Sequence, residues 1–398
     1  MMLSKKALSL AMTATLALGF MSGCASNANS DEGGSGDKKV IKIVTQSPLS
    51  GGSATLGEAI KLGAQLAIDQ QKDKFAELGF EVKLDAQDDQ GDPKKGVANA
   101  NLVVADQSVL GVVGHLNSGV SIPASEVYEK NNLVSVSPAS TATDYTDRGL
   151  KTVSRVVARD DFQGPAGAQY AVETLGAKKI FVVQDKTAYG SGLADAFRAA
   201  AEELGAEIVG YEGITVGEKD FNGVLNQVSS KKPDLIYFGG LYAEGGILVK
   251  QAREKGLDIP FMGGDGLDSS TFVEIAGDAV KNTFLTSVAG DTTLSEEGTK
   301  FAEDYKAAFG KSIESYSAYA YDSAAVLLAG IEKAIKDNDN KLPSREDVTK
   351  AVRETQDYKG VVTEVGFDEK GDNKFAKIFI YKFDEAKYPA TLDGEISQ

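Results

Sequence analysis

Residues 109–137 read VLGVVGHLNSGVSIPASEVYEKNNLVSVS, and this stretch decides the fold class. Residues 109–114 form a short, Val-rich apolar run closed by glycine, the composition of a buried strand. Residues 120–130 carry a helical pattern, and residues 133–137 return to strand composition. Strand, helix and strand in succession make a βαβ unit, whose two strands lie parallel. Reading outward, residues 40–45 (VIKIVT) predict a strand. Residues 57–71 predict a helix with Ile60, Ala64, Ala67 and Ile68 on one face. A strand follows at 82–85, and Asp92-Pro93 opens a helix through Ala105, with proline in the first turn. Beyond residue 137, strands at 179–184, 207–211, 235–238 and 260–262 alternate with helices at 192–204, 221–230 and 246–255. Two such series imply an α/β protein of two Rossmann-like lobes with parallel central sheets. Residues 153–161 (VSRVVARDD) offer a crossing between them. The tail at 375–383 (FAKIFIYKF) alternates as a strand and must pair with some sheet.

The first residues do not belong to that pattern. Residues 1–24 read MMLSKKALSLAMTATLALGFMSGC, with Lys5 and Lys6 ahead of an uncharged run of apolar and small residues. This is the composition of a secretory signal. Its end, Met21-Ser22-Gly23-Cys24, resembles the lipobox of bacterial lipoproteins. That resemblance implies cleavage after residue 23 and lipidation of Cys24; the other reading is a plain export signal. Residues 25–39 (ASNANSDEGGSGDKK) are small and polar, with too little apolar surface to order themselves. Residues 24–39 are therefore expected to form a lipidated cysteine and a tether.

Composition narrows the chemistry. The 398 residues hold 42 Lys plus Arg against 58 Asp plus Glu, one His and one Cys, for a net charge of −16. One Cys excludes an internal disulfide and a Cys-based zinc site, and one His excludes a multi-His metal centre. No metal or other cofactor is expected. The acidic balance argues against a nucleic-acid partner. The phosphate-loop, dinucleotide, nucleophile-elbow and HExxH patterns are all missing.

Ligands of parallel α/β lobes bind beyond the carboxyl ends of strands, which selects the loops to read. Residues 46–56 (QSPLSGGSATL) offer backbone N–H groups to an anion, or simply turn and start a helix. His115 after a buried strand reads as a hydrogen-bonded structural residue rather than a catalyst. Ser118 can bind a carboxylate or cap the helix it opens. Ser140 and Thr141, after Pro138, offer hydroxyls to a small polar ligand. Tyr189 sits between a strand and a helix in the second series. Asp265, between Gly264 and Gly266, is either an ammonium counter-ion or a turn-forming Asp. The acidic run at 88–92 reads as a loop and helix start.

From Val40 to about Phe383 the sequence resembles the substrate-binding proteins of branched-chain amino acid ABC transporters, of the type I periplasmic binding fold. The resemblance rests on ordered stretches: IKIVTQSPLSGG, DDQGDPKKGVANANLVV, GVVGHLNSG, VSVSPAST, RDDFQGPAGAQY, DKTAYGSGLA, GITVGEKDF, IYFGGLYAEGGILVKQAREKGL and FMGGDGL. It implies two lobes joined by three hinge crossings, near Asp160, Ser287 and Gly366. The first lobe would comprise 40–160 plus 288–366 and the second 161–287 plus 367–398. The ligand would sit between lobes that close by hinge rotation, and the closed form would dock on an ABC permease.

The family motif places Ser118 on the ligand carboxylate. It implies a backbone carbonyl at Ala139 for the ammonium and a hydroxyl at Thr141 for the α-groups. Tyr189 would touch the ligand from the second lobe, and Asp265 would neutralise the ammonium. The chain departs from the family at Leu56 and at Leu241, beside Tyr242, where aromatics are frequent. Those positions bear on side-chain selectivity. Some members carry Glu in place of Asp265, and some a disulfide between the regions of Gly91 and Asn117, neither of which is Cys here. The implied activity is non-enzymatic: a monomeric receptor, lipid-anchored outside the cell membrane or periplasmic, for an aliphatic amino acid such as Leu, Ile or Val. Competing readings are another small ligand (an amide, urea, a short peptide, an aromatic acid), a sensor with a signalling partner, and a hydrolase built on paired carboxylates.

Overall fold

The structure is a computed structural model that describes residues 38–397. The signal at 1–23, Cys24 and the tether up to residue 37 lie outside the described residues. The first sheet contains β1 (Lys39–Ser47), β2 (Phe80–Asp88), β3 (Val109–Gly114), β4 (Ser135–Ser137) and β5 (Val153–Arg155). Its order is β2-β1-β3-β4-β5, parallel throughout. The intervening helices are α1 (Ala54–Glu77), α2 (Pro93–Ala105), α3 (Ser118–Glu129) and the short α4 (Asp144–Asp147).

The chain then leaves this sheet. Helix α5 (Asp160–Gln169) leads into β6 (Lys179–Gln184), α6 (Ala188–Glu203), β7 (Glu207–Gly213) and α7 (Asn222–Lys231). There follow β8 (Leu235–Gly239), α8 (Tyr242–Glu254), β9 (Phe261–Gly263), α9 (Ser270–Ala276) and β10 (Thr283–Ser287). Helices α10 (Glu296–Phe309), α11 (Ser317–Asp337) and α12 (Arg345–Arg353) return to the first sheet, followed by the hairpin β11 (Tyr358–Lys359) and β12 (Glu364–Val365). Strands β13 (Lys377–Phe383) and β14 (Thr391–Ser397) complete the second sheet, in the order β14-β13-β10-β9-β8-β6-β7. The sheet is parallel except at β13 and β14, which pair antiparallel. The chain thus passes between the sheets three times, at residues 156–159, 288–295 and 366–376.

Burial on both faces explains the unbroken apolar strands. Ile41, Ile43, Leu110 and Val113 face a cluster with Ile60 and Ala64 of α1 and Leu327 and Ile331 of α11. Val44, Val109 and Val112 face the other side, against Val103 and Val104 of α2 and Tyr128 of α3. Local signals set the helix starts. The Asp92 side chain accepts the Lys95 N–H at 2.8 Å ahead of Pro93, and the Thr187 hydroxyl accepts the Gly190 N–H at 2.9 Å. Helix α1 runs beyond residue 71 because buried Phe75 anchors one more turn of good helix formers.

The crossings are tied to each other. Asn373 Nδ2 donates to the Val156 carbonyl at 3.0 Å. The fully buried Arg155 donates through Nε to Asp372 Oδ1 at 2.7 Å. The Tyr381 hydroxyl donates to the Ala289 carbonyl at 3.1 Å.

Candidate functional site

The carboxyl ends of β3 and β4 supply the first wall of the cleft. Ser118 opens α3, but its hydroxyl is not a cap: Oγ accepts the Ala142 N–H at 3.3 Å, tying the two loops together. In the loop after β4, Ser137 Oγ accepts the N–H groups of Ala139 (3.2 Å) and Ser140 (2.9 Å), which folds the chain sharply after Pro138. The Ser140 hydroxyl is engaged inside the protein. It lies 2.5 Å from Ser121 Oγ and against the carbonyls of His115 and Leu116. Thr141 differs: its buried Oγ1 has no partner, while its carbonyl accepts the Asp160 N–H at 2.9 Å. Arg155 Nη1 donates to the Ser140 carbonyl at 2.8 Å, so the buried arginine ties this loop to the crossing that carries Asp372.

His115 is a structural residue, as its sequence setting suggested. Nδ1 lies 2.7 Å from Asp89 Oδ2 and Nε2 lies 3.1 Å from the Tyr128 hydroxyl. Gly91 and Asn117 are neighbours, since a Cβ built at Gly91 would lie 3.2 Å from Asn117 Oδ1.

The opposite wall centres on Asp265, which follows β9 and is 2% exposed. Its Oδ1 accepts from the Tyr189 hydroxyl at 2.7 Å and from Gln163 Nε2 at 2.9 Å; Oδ2 accepts from the Tyr316 hydroxyl. Tyr189 also accepts the Gly266 N–H at 2.9 Å. The glycines around Asp265 are required by contact. A Cβ at Gly266 would lie 2.5 Å from the Gly240 carbonyl oxygen, and one at Gly264 would lie 2.7 Å from the Tyr189 hydroxyl oxygen. Burial pushes both phenols well up, so they remain neutral donors. Burial also raises the Asp265 carboxyl, and the hydroxyls of Tyr316 and Tyr189 and the Gln163 amide counter that rise.

A second carboxylate stands close by. Asp160 is the first residue of α5 and is 2% exposed, yet neither of its oxygens has a hydrogen-bond partner. Burial, then the charge of Asp265, pushes it up to about 8; the Thr141 hydroxyl opposes that shift without making a hydrogen bond of normal geometry. Gln163 lies one turn along the same helix and bonds Asp265, while the Asp160 N–H bonds the Thr141 carbonyl, so Asp160 stands where the two walls meet.

Asp160, Gln163 and Tyr316 were missed from the sequence. Asp160 had a signal, an acid in a first helical turn directly after the crossing. Gln163 and Tyr316 had none, because their partner lies 102 and 51 residues away.

The remaining expected residues are apolar or core-packed. Leu56 is fully buried in the core, where it joins Ile60 and Tyr242. Tyr242 is 2% exposed, and its hydroxyl accepts the Thr55 N–H at 3.3 Å. Leu241 is half-buried at the start of α8 and packs on the cluster that contains Tyr189. Further contacts bridge the two walls. The hydroxyls of Thr55 and Thr271 are 2.8 Å apart, Glu314 accepts the Ser270 N–H at 3.1 Å, and Ser315 Oγ donates to the Asp268 carbonyl at 2.8 Å. A separate cavity of about 370 Å³ lies behind the crossings, lined by Val157, Val288, Tyr319, Lys374, Phe375 and Phe379; none of the expected ligand residues borders it.

Two parallel-dominated sheets, three linking segments and a buried polar cluster beyond the strand ends are the architecture of a type I periplasmic binding protein. The chain belongs to the periplasmic binding protein family, whose pattern it matches over residues 40–387. It is 39% identical over 350 residues to the Leu/Ile/Val-binding protein BraC3 of Rhizobium johnstonii, covering 88% of this chain and 93% of that protein. Among solved structures it is similar to the leucine binding protein LivK from Thermotoga maritima, with TM-score 0.81 and 30% identity over 89% of this chain and 98% of that one. It is also similar to the branched-chain amino acid transporter substrate binding protein LivJ from Streptococcus pneumoniae in complex with isoleucine. There the TM-score is 0.80 at 27% identity, over 90% of this chain and 99% of that one. Among the described residues no helix is long and apolar enough to cross a membrane.

Proposed function

We propose that the protein is a non-enzymatic, extracytoplasmic receptor of an ABC importer. It binds one aliphatic amino acid, leucine, isoleucine or valine, between its lobes and passes it to a membrane permease. The observation that carries this reading is that buried carboxylates and small hydroxyls, several of their atoms without a partner, meet where the two series of strands end. Asp265 follows β9 in the second series, whereas Asp160, whose N–H bonds the Thr141 carbonyl at 2.9 Å, stands beside the small hydroxyls of the first. A zwitterion taken out of water needs both of its charges compensated. Asp265, Asp160 and the Ala139 carbonyl suit an ammonium, and Ser118 and Thr141 suit a carboxylate. Tyr189 orients Asp265 and closes over the α-groups, while Leu241 and Tyr242 border the side-chain end with Leu56 packed behind. Ser140 supports the loop rather than the ligand, because its hydroxyl is already engaged. The names of the relatives point the same way.

In this reading the lobes are 40–160 with 288–366 and 161–287 with 367–398. Cys24 carries the lipid that holds a monomer at the outer face of the membrane. Mass spectrometry of small molecules released by denaturing the purified protein tests the ligand class. Recovery of leucine, isoleucine or valine supports it; recovery of an aromatic acid, an amide or urea in their place refutes it.

A further inference from the structure

The cleft contains two carboxylates but provides hydrogen-bond donors to only one. Asp265 has three, whereas both oxygens of Asp160 are buried without a partner. The charged and titratable groups around Asp160 come from every neighbouring element. Tyr189 on α6, Tyr237 on β8 and Tyr316 before α11 are neutral phenols. Asp265 is a like charge. Asp161 adds another, and it is paired with Arg159 at 2.8 Å. Arg159 also serves Asp147 and Asp372. Arg155 on β5 is the remaining cation, and its guanidinium is committed to Asp372, the Ser140 carbonyl and the Thr146 hydroxyl. On the α6 side Asp160 faces Gly192, where a Cβ would lie 3.7 Å from its Oδ2. An ionised carboxylate in that position has lost its water, with only the Thr141 hydroxyl and the committed Arg155 to offset the loss.

We infer that Asp160 gates closure: an empty cleft closes only when Asp160 takes up a proton, and the ligand's ammonium takes that proton's place. This rests on the amino-acid reading above. In an open cleft a hydrated aspartate ionises near pH ~4. In the closed cleft burial, then Asp265, pushes Asp160 up to about 8. Between those limits the closed fraction of the empty protein falls roughly tenfold for each unit rise in pH, because closure binds one proton. An ammonium beside the ionised carboxylate removes this dependence. The empty receptor therefore stays open at neutral pH and does not present a falsely loaded shape to its permease.

Small-angle scattering of the purified protein at pH 5, 6, 7 and 8, with and without leucine, reads the closed fraction directly. Without ligand the particle should be expanded at pH 8 and contract towards the leucine-bound size as pH falls. Asp160→Asn should be contracted at pH 8 without ligand and lose the pH dependence. An empty protein of one size from pH 5 to 8, or an Asn variant as expanded as the parent at pH 8, overturns the gate. The pH series on the unaltered chain carries the test by itself if the variant does not fold. Contraction by leucine with a pH-invariant empty form refutes the gate alone. Failure of every common amino acid to contract the particle refutes the ligand reading and the gate with it.

Discussion

Replacing Asp265 by Asn removes one charge and leaves the surrounding bonds nearly intact. The amide oxygen can stay with the Tyr189 hydroxyl and Gln163 Nε2, which both donate to Oδ1. The new NH2 group then meets the Tyr316 hydroxyl, which can rotate to accept. In the proposed mode of binding, the ligand ammonium loses the carboxylate that meets it. Truncating one partner of a buried, hydrogen-bonded charge pair costs about 2–5 kcal/mol, or roughly 30- to 4,000-fold in Kd. Stability should move the other way. Burial holds the Asp265 carboxyl above its ordinary range, so the empty protein gains when that desolvated charge is removed. Calorimetric titration with leucine, paired with thermal melting of the empty protein, checks both signs. An affinity loss below about threefold, against the range just given, would take Asp265 out of the site. An affinity loss with a collapsed melting temperature would assign it to the fold.

Four further outcomes follow from the same geometry. Ser118→Ala should weaken leucine binding by about 1.5–3 kcal/mol, the worth of a hydrogen bond to a charged group; an unchanged calorimetric Kd would leave Ser118 only its bond to Ala142. Thr55→Val removes the 2.8 Å hydroxyl pair across the cleft with Thr271, so stopped-flow mixing should find faster dissociation at unchanged association, worth about 0.5–1.5 kcal/mol; a changed association rate alone would contradict a closure role. Arg155→Met leaves Asp372 without its buried partner and should lower stability by about 3–5 kcal/mol in urea unfolding, whereas a neutral result would mean the Arg159 pair suffices. Asp322 accepts the Val361 N–H at 2.8 Å, and burial raises its pKa from an ordinary 3.8 to about 7. The folded state then holds the proton more tightly, so this contribution is full below 3.8 and is lost as pH rises through about 7; Asp322→Asn should flatten the fall in melting temperature over that window, and an unaltered slope would refute the assignment.

The fold was legible where burial is two-sided. Strands β3 and β6 have the limits read from composition alone, because their apolar runs end where the sheet does. What could not be read was polar or irregular. Strand β14 (TLDGEIS) alternates weakly and exists because β13 offers it an edge. Helix α5 contains Gly164 and Pro165, residues that argue against a helix, and is held by packing on α6. In the cleft, Ser118, Thr141, Tyr189 and Asp265 stood out because they follow strand ends, where backbone and ligand meet. Asp160 lay at the crossing and was read as a boundary rather than as a charge. Gln163 and Tyr316 are ordinary residues until the fold brings them to Asp265. Leu56 is fully buried in the cluster that also holds Ile60 and Tyr242, a packing that its loop composition did not reveal.

In the proposed function the cleft recognises an α-amino acid by its two charges and an aliphatic side chain. Calorimetric titration of the purified protein with the twenty common amino acids and with 4-methyl-2-oxopentanoate, which has leucine's shape without the ammonium, tests it most directly. Binding should be one-to-one and tightest for leucine, isoleucine and valine, with the oxo acid weaker by about 30-fold or more, the least that an unpaired buried carboxylate should cost. Equal affinity for the oxo acid, or no heat with any amino acid, would contradict it.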